Sequence, residues 1–351
     1  MSHQRCATVK FLSYRARCLG ALVGVLGLLS LHCSTSTSGV HDTPDDGLPD
    51  DSGDPEPSTG DATRLVGAFQ VRSSPAAPSG DGAPEAAGTA SLLGKIYDGP
   101  TPSQIVWEER AAAGGCRLLT PRVPFCNEPC GGSAVCVEDD TCEPYPAAHS
   151  AGAVTATGLN LESGEASLVM NPVANNYQPP AGVKLRYPPA DEGQTVRFEA
   201  SGDYFSAFAV EARGVSPLDL RGDAVRLDPD QPVTLEWAPP GQAGISTIEV
   251  TLDISHHGGT KGKIECSAED TGSLELPASL VTQLLDLGVA GFPSILVARK
   301  AVGSTTIAQG RVDLVISSQV ERPVEVAGLT SCHDDSECPE GQTCQSDLTC
   351  Q

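Results

Sequence analysis

The chain has 351 residues, enough for one large or two ordinary domains, with 45 acidic against 22 basic side chains and a formal net charge of −23. That charge repels polyanions and excludes nucleic acid as a partner, because duplexes and single strands are held mainly by Lys and Arg on phosphates. Aromatic residues make up only 4%, which leaves few rings for stacking bases or sugars and removes the usual sign of an aromatic-lined ligand cleft.

Residues 1–17 carry Arg5, Lys10, Arg15 and Arg17 without an acid, and Leu19 to Leu31 follows with neither charge nor proline. This is the pattern of a secretory signal peptide. A spanning helix takes about 20 apolar residues; this core is shorter and no other stretch approaches that length, so the mature chain is expected to have no transmembrane helix. The segment Ser30-Leu31-His32-Cys33, with Ser, Thr and Gly next, resembles a bacterial lipoprotein signal, although that family prefers a small residue where His32 stands and Leu where Ser30 stands. The resemblance implies diacylglycerol on the Cys33 thiol and hence a membrane contact through the N-terminal lipid. With Ser34 beside it, it also implies outer-membrane sorting, facing the periplasm or the cell surface. An ordinary signal-peptidase cut among Ser34 to Ser38 would instead release a soluble form.

Residues 34–90 read as an acidic Pro/Gly/Ser-rich tether. Ser34 to Thr63 holds eight acids and no Lys or Arg, a composition that cannot bury a core. As a random coil it would reach roughly 30 Å. Asp50-Asp51-Ser52-Gly53-Asp54 looks like the start of a calcium loop, but Pro55 occupies the glycine position of an EF-hand, and the twelfth position is Asp61, so a linker is expected. Residues 65–71 form a candidate edge strand.

Strand character begins at Ala90, with 91–115 read as the first strands of the body, 116–145 as a cysteine cassette, 146–328 as a β-sandwich and 329–351 as a second cassette. In Thr195 to Ala200, Val, Phe and Ala alternate with Thr, Arg and Glu; Phe208 to Arg213, Val233 to Trp237, Ile248 to Ile254 and Val312 to Ser318 repeat the period of two. Weaker candidates at 153–157, 166–170, 263–266, 273–276 and 294–299 bring the number to about ten strands. One helix is expected with Pro277 at its first position, Leu280, Val281, Leu284 and Leu285 on one face and Gly288 as its stop. The predicted fold is mainly β, an antiparallel β-sandwich of Ig-like or jelly-roll style with one short helix and two small disulfide-rich cassettes.

Of thirteen cysteines, Cys6, Cys18 and Cys33 belong to the leader region, leaving ten, an even number suited to an oxidising compartment. Cys130-(x5)-Cys136-(x5)-Cys142 recurs as Cys338-(x5)-Cys344-(x5)-Cys350, and each set is led by one more cysteine, Cys126 or Cys332. Four cysteines permit three connectivities. Each copy, about twenty residues, serves either as a recognition knob or as a staple for a segment too small to own a core. Zinc is disfavoured, because structural sites use closer Cys pairs. The cassettes resemble those of EGF-like or Dickkopf-like extracellular proteins, and the resemblance implies Cys126 with Cys136, Cys130 with Cys142, Cys332 with Cys344, and Cys338 with Cys350. Ile264 and Cys266 share one strand face, so Cys266 points inward, where it either pairs with Cys116 or stays a buried thiol.

No catalytic residue, cofactor or metal ligand is predicted. Asp270-Thr271-Gly272-Ser273 resembles the aspartic peptidase signature, but no second copy lies in a folded lobe, and a hairpin turn accounts for it. His256 and His257 lie in a Gly-rich loop without an acidic neighbour; Arg221-Gly222-Asp223 resembles an integrin-binding tripeptide and reads as a turn; Asp334, Asp335 and Glu337 read as solvated acids. Signal and tether resemble those of bacterial surface lipoproteins. The expected protein is an exported, lipid-anchored envelope component that binds or scaffolds an unidentified protein or glycan, the alternatives being an exported aspartic-peptidase-like hydrolase and a purely structural envelope protein.

Overall fold

A computed structural model describes residues 63–76 and 88–351. The leader, Cys33, the tether to residue 62 with its calcium-loop lookalike, and residues 77–87 lie outside the described residues. Eighteen strands follow in order: β1 Leu65–Ser74, β2 Thr89–Ile96, β3 Val106–Ala113, β4 Cys116–Arg122, β5 Ala134–Glu138, β6 Thr141–Pro144, β7 Val154–Thr157, β8 Ser167–Met170 and β9 Asn176–Tyr177. The second half holds β10 Thr195–Ala200, β11 Phe208–Arg213, β12 Val225–Leu227, β13 Val233–Glu236, β14 Thr247–Asp253, β15 Lys263–Glu269, β16 Ser273–Leu276, helix α1 Ala278–Asp286, β17 Ser294–Ile307 and β18 Gly310–Val326. The fold is mainly β.

A ten-stranded sheet runs β3-β4-β15-β14-β17-β18-β1-β2-β9, with β12 added to β18. Its spine is the long β17–β18 hairpin, whose strands pair without a register shift from Ser294↔Pro323 to Ile307↔Gly310. The hairpin is long enough to serve two cores. Val312, Leu314 and Ile316 of β18 enter one, and Val320 and Val324 enter the other. The period of two keeps all five on one face, so a single strand can be inward-facing along both.

The four-stranded sheet β11-β10-β7-β8 covers the first core. Phe69 sits between Phe198, with ring centroids 5.2 Å apart, and Tyr177 at 5.6 Å. This packing explains a glycine inside β2, since a Cβ on Gly94 would lie 2.3 Å from the Phe69 ring. The second core is closed by the β13–β16 pair and by α1, which buries Leu280, Val281 and Leu284. Each such side chain contributes about 1.5–3 kcal/mol of burial.

Several expectations change in detail. The segment at 65–71 belongs to β1, which is interior, between β18 and β2. Cys116 to Arg122, assigned to the first cassette, is β4 of the large sheet. Pro277 is the N-cap of α1, not its first residue. The sheet is not wholly antiparallel either, because β1 and β12 both run parallel to β18. Finally, Asp270-Thr271-Gly272 is not a hairpin turn. The strands it joins lie in different sheets, β15 beside β14 and β16 beside β13, so the triplet is a corner where the chain changes layers.

Candidate functional site

All ten cysteines of the described residues are oxidised. Cys116 joins Cys266, its direct partner across β4 and β15. In the cassettes first pairs with third and second with fourth: Cys126–Cys136, Cys130–Cys142, Cys332–Cys344 and Cys338–Cys350. The sulfurs of Cys126, Cys130 and Cys142 lie within 4.8 Å of one another, as do those of Cys332, Cys338 and Cys344. In the oxidised state they offer no thiolate to a metal.

The two cassettes share this wiring but sit differently. The second is docked. Cys332 is fully buried, Ser331 Oγ donates to the Gly291 carbonyl at 2.5 Å, the Gly291 amide donates to the Asp347 carbonyl at 2.7 Å, and His333 lies 4.5 Å from the Phe292 ring. The histidine loop takes part, since the Phe292 amide donates to the His256 carbonyl at 2.8 Å. Its acids are tied to the cassette's own loop: Asp334 Oδ1 accepts from the Ser336 amide at 2.8 Å, Asp335 Oδ1 from the Cys344 amide at 2.8 Å, and Glu337 Oε2 from the His333 amide at 2.6 Å. The Ser336 hydroxyl and amide hold the Asp334 carboxyl below the usual carboxylate range.

The first cassette is tied down by its acidic turn instead. Asp139 Oδ1 accepts from the Phe125 amide at 3.0 Å and from Arg122 Nη1 at 3.3 Å, while Asp140 Oδ1 accepts from the Asn127 amide at 2.9 Å and the Asp140 amide donates to the Phe125 carbonyl at 3.1 Å. Pro124 is buried. Its neighbours are not: Val123 is 71% exposed and Phe125 70%. Sequence reasoning passed over this pair because exposed apolar residues give no periodic signal.

Asp270 has a structural occupation. Its side chain is 2% exposed and that of Arg299 1%, in a two-pronged pair with Nε to Oδ2 at 2.6 Å and Nη2 to Oδ1 at 3.1 Å. Trp237 Nε1 donates to Oδ1 at 2.8 Å and Ser246 Oγ to Oδ2 at 2.7 Å. The remaining guanidinium hydrogens reach the Ser216 hydroxyl and the carbonyls of Pro217 and Ala238. Both carboxylate oxygens are thus filled by donors, the opposite of a peptidase aspartate that must hold a water.

A cleft of about 830 Å³ opens between Ser74–Ala76, the segment 218–223 and Gln319–Arg322 of β18. Proline chemistry places it. Val324 donates its amide to Pro293, beside β17, so odd-numbered residues of β18 face β1. The register Ser73↔Ser318 then makes residue 75 the next amide due to bond β18, and Pro75 has none. Parallel pairing resumes only at Val225↔Val324. Arg221-Gly222-Asp223 forms the rim: Gly222 has φ +83° and its carbonyl accepts from Arg322 Nε at 2.9 Å, while Arg221 Nη1 reaches Glu236 Oε2 at 3.1 Å. The triplet acts as the turn into β12.

No protein-family model matches the chain. No curated protein matches it. Among solved structures it is similar to the FN1–FN3 domains of chicken CNTN1, at 11% identity over 66% of this chain and 71% of that one, with a TM-score of 0.15. A likeness that slight bears on neither fold detail nor function.

Proposed function

We propose that the chain is an exported envelope protein, anchored through a lipid on Cys33 and sorted to the outer membrane, whose rigid β body binds or scaffolds a partner. The observation that carries this reading is the oxidation of every cysteine among the described residues. Five disulfides persist outside the reducing cytosol, and the basic, apolar leader ahead of an acidic tether provides the route there. Within the described residues no helix is long and apolar enough to cross a membrane; the reading assigns attachment to the lipid. The binding role is supported by the first cassette, which holds an exposed apolar pair on a braced, rigid loop. The hydrolase alternative loses its aspartate to the Arg299 pair.

Labelling cells with a radioactive fatty acid, for the wild type and for Cys33→Ala, tests the anchor. Label on the wild type alone is expected; an unlabelled wild type contradicts it. Protease shaving of intact cells then separates a surface location, in which the body is cleaved away, from a periplasmic one. Pull-down from intact envelopes separates a binding module from a structural protein, which would stay with peptidoglycan after detergent extraction.

A further inference from the structure

The two edges of the ten-stranded sheet are built differently. At one, β3 carries Glu108, Glu109 and Arg110 and a bulge between Glu109 and Ala111, devices that keep an edge unpaired. At the other, β9 covers β2 at Gly94 and Lys95 alone. The rest of that edge, residues 89–93, holds no charge and no proline.

The ladder fixes which main-chain groups lie open there. The Tyr97 amide donates to the Val66 carbonyl at 2.9 Å, just before the β1–β2 register begins, so odd-numbered residues of β2 bond β1 and even-numbered ones point away from it. Of these, the Ile96 carbonyl accepts from the His149 amide at 3.1 Å and Gly94 lies opposite Tyr177. Leu92 comes next, opposite Pro179, which has no amide to give, and Ala90 follows. Among the described residues neither has a partner for its outward N–H or C=O. Leu92 is nonetheless only 2% exposed, and main-chain groups withdrawn from water are as a rule paired. Beside them a cleft of about 560 Å³ lies between residues 88–92 and the loop 178–185, within the ~300–1,000 Å³ of ligand pockets. Its apolar lining includes Leu92 and Leu185 of the first core, with Ala90 and Val183 packed against that core.

We infer that this slot takes one extended segment of a partner polypeptide, added antiparallel to β2 in line with β9 and bonded through its main chain to Leu92 and Ala90. The partner residues opposite Leu92 and Ala90 share their inward face and are therefore apolar. The residue between them lies on the outward side beside Ser91 and is polar. A second copy of this chain does not fit, because its own open stretch of β2 is walled by the same loop. Charge plays little part, since Glu162 and Lys184 both line the cleft. The inference rests on the binding reading and gives it a site on the sheet, separate from the exposed pair of the first cassette.

The test uses the full mature chain and a fluorescent peptide, Ser-Val-Thr-Val-Ser, read by anisotropy, beside the same peptide N-methylated at both valines, which keeps the side chains and removes two donors. Binding of the parent peptide is expected, with little change as salt rises, and a loss of about tenfold or more for the methylated one. In hydrogen exchange the amides of Ala90 and Leu92 should gain protection on binding, while those of Ser91 and Leu93, already bonded to β1, should not change. Ala90→Pro removes an amide that no described residue receives, so it should weaken binding about tenfold or more while thermal unfolding stays close to the wild type. Should that variant fail to fold, the methylated peptide and the exchange data decide. No binding of the parent peptide, equal affinity for the methylated one, or protection that spares Ala90 and Leu92 overturns the site. A concentration-dependent dimer in which those two amides are protected puts a second copy in the slot and overturns the partner. If the peptide fails while envelope pull-down by the wild type retains a partner, only the slot falls; if the pull-down retains nothing, the binding reading itself fails.

Discussion

Asp270 shows how a sequence motif and its environment can point in opposite directions. The triplet with Thr271 and Gly272 is legible at once, but its meaning depends on Arg299, Trp237 and Ser246, which are remote in sequence and meet it only in the fold. No local pattern announces that convergence. A buried two-pronged pair is costly to break from one side, because the survivor is left charged and dry. Arg299→Met is therefore expected to destabilise the body by about 3–5 kcal/mol in urea unfolding, and adding Asp270→Leu should recover much of that loss. The second cassette offers a proton-linked counterpart. The Asp334 carboxyl is held below its ordinary range by Ser336, so its contribution is present above that range and is lost as pH falls through the depressed value. An NMR titration should place its midpoint below that of a free aspartate, with the Ser336 amide losing protection in the same step; a midpoint at the ordinary value would contradict the bond.

Strands with strict alternation, such as Thr195 to Ala200, were readable because half their residues must be apolar and half wet. The long β17–β18 hairpin was only partly readable, as 294–299 and 312–318. Beyond those limits Lys300, Ser304 and Arg311 interrupt the pattern, and pairing with the neighbouring strand supplies what composition does not. The parallel placement of β1 against β18 was invisible, since it depends on a partner almost 250 residues away in sequence. Close approach of layers supplies a sharp check. A Cβ on Gly303 of β17 would lie 1.5 Å from the Glu211 carbonyl of β11, so Gly303→Ala must push the four-stranded sheet away. Its cost should reach or exceed the upper end of the ~1–3 kcal/mol typical of overpacking, measured by thermal unfolding, whereas Gly164→Ala, in open space but at a positive φ of 76°, should cost less.

At the scale of the whole molecule, a sheet with two cores is bolted across its β4–β15 side by Cys116–Cys266, 150 residues apart in sequence. The even cysteine count made oxidation legible, while the choice between bond and buried thiols needed the strand register. Replacing both residues by serine should lower stability by up to about 5 kcal/mol, the entropic limit for a loop of that length. The account as a whole stands on the compartment in which those bonds form. The most direct test is to quench living cells with acid and an alkylating reagent, then map peptides without reduction. A linked Cys116–Cys266 peptide, four cassette disulfides and no alkylated cysteine from 116 onward are expected. Recovery of those ten cysteines in alkylated form, on a chain that still begins at Met1, would contradict export and the function built on it.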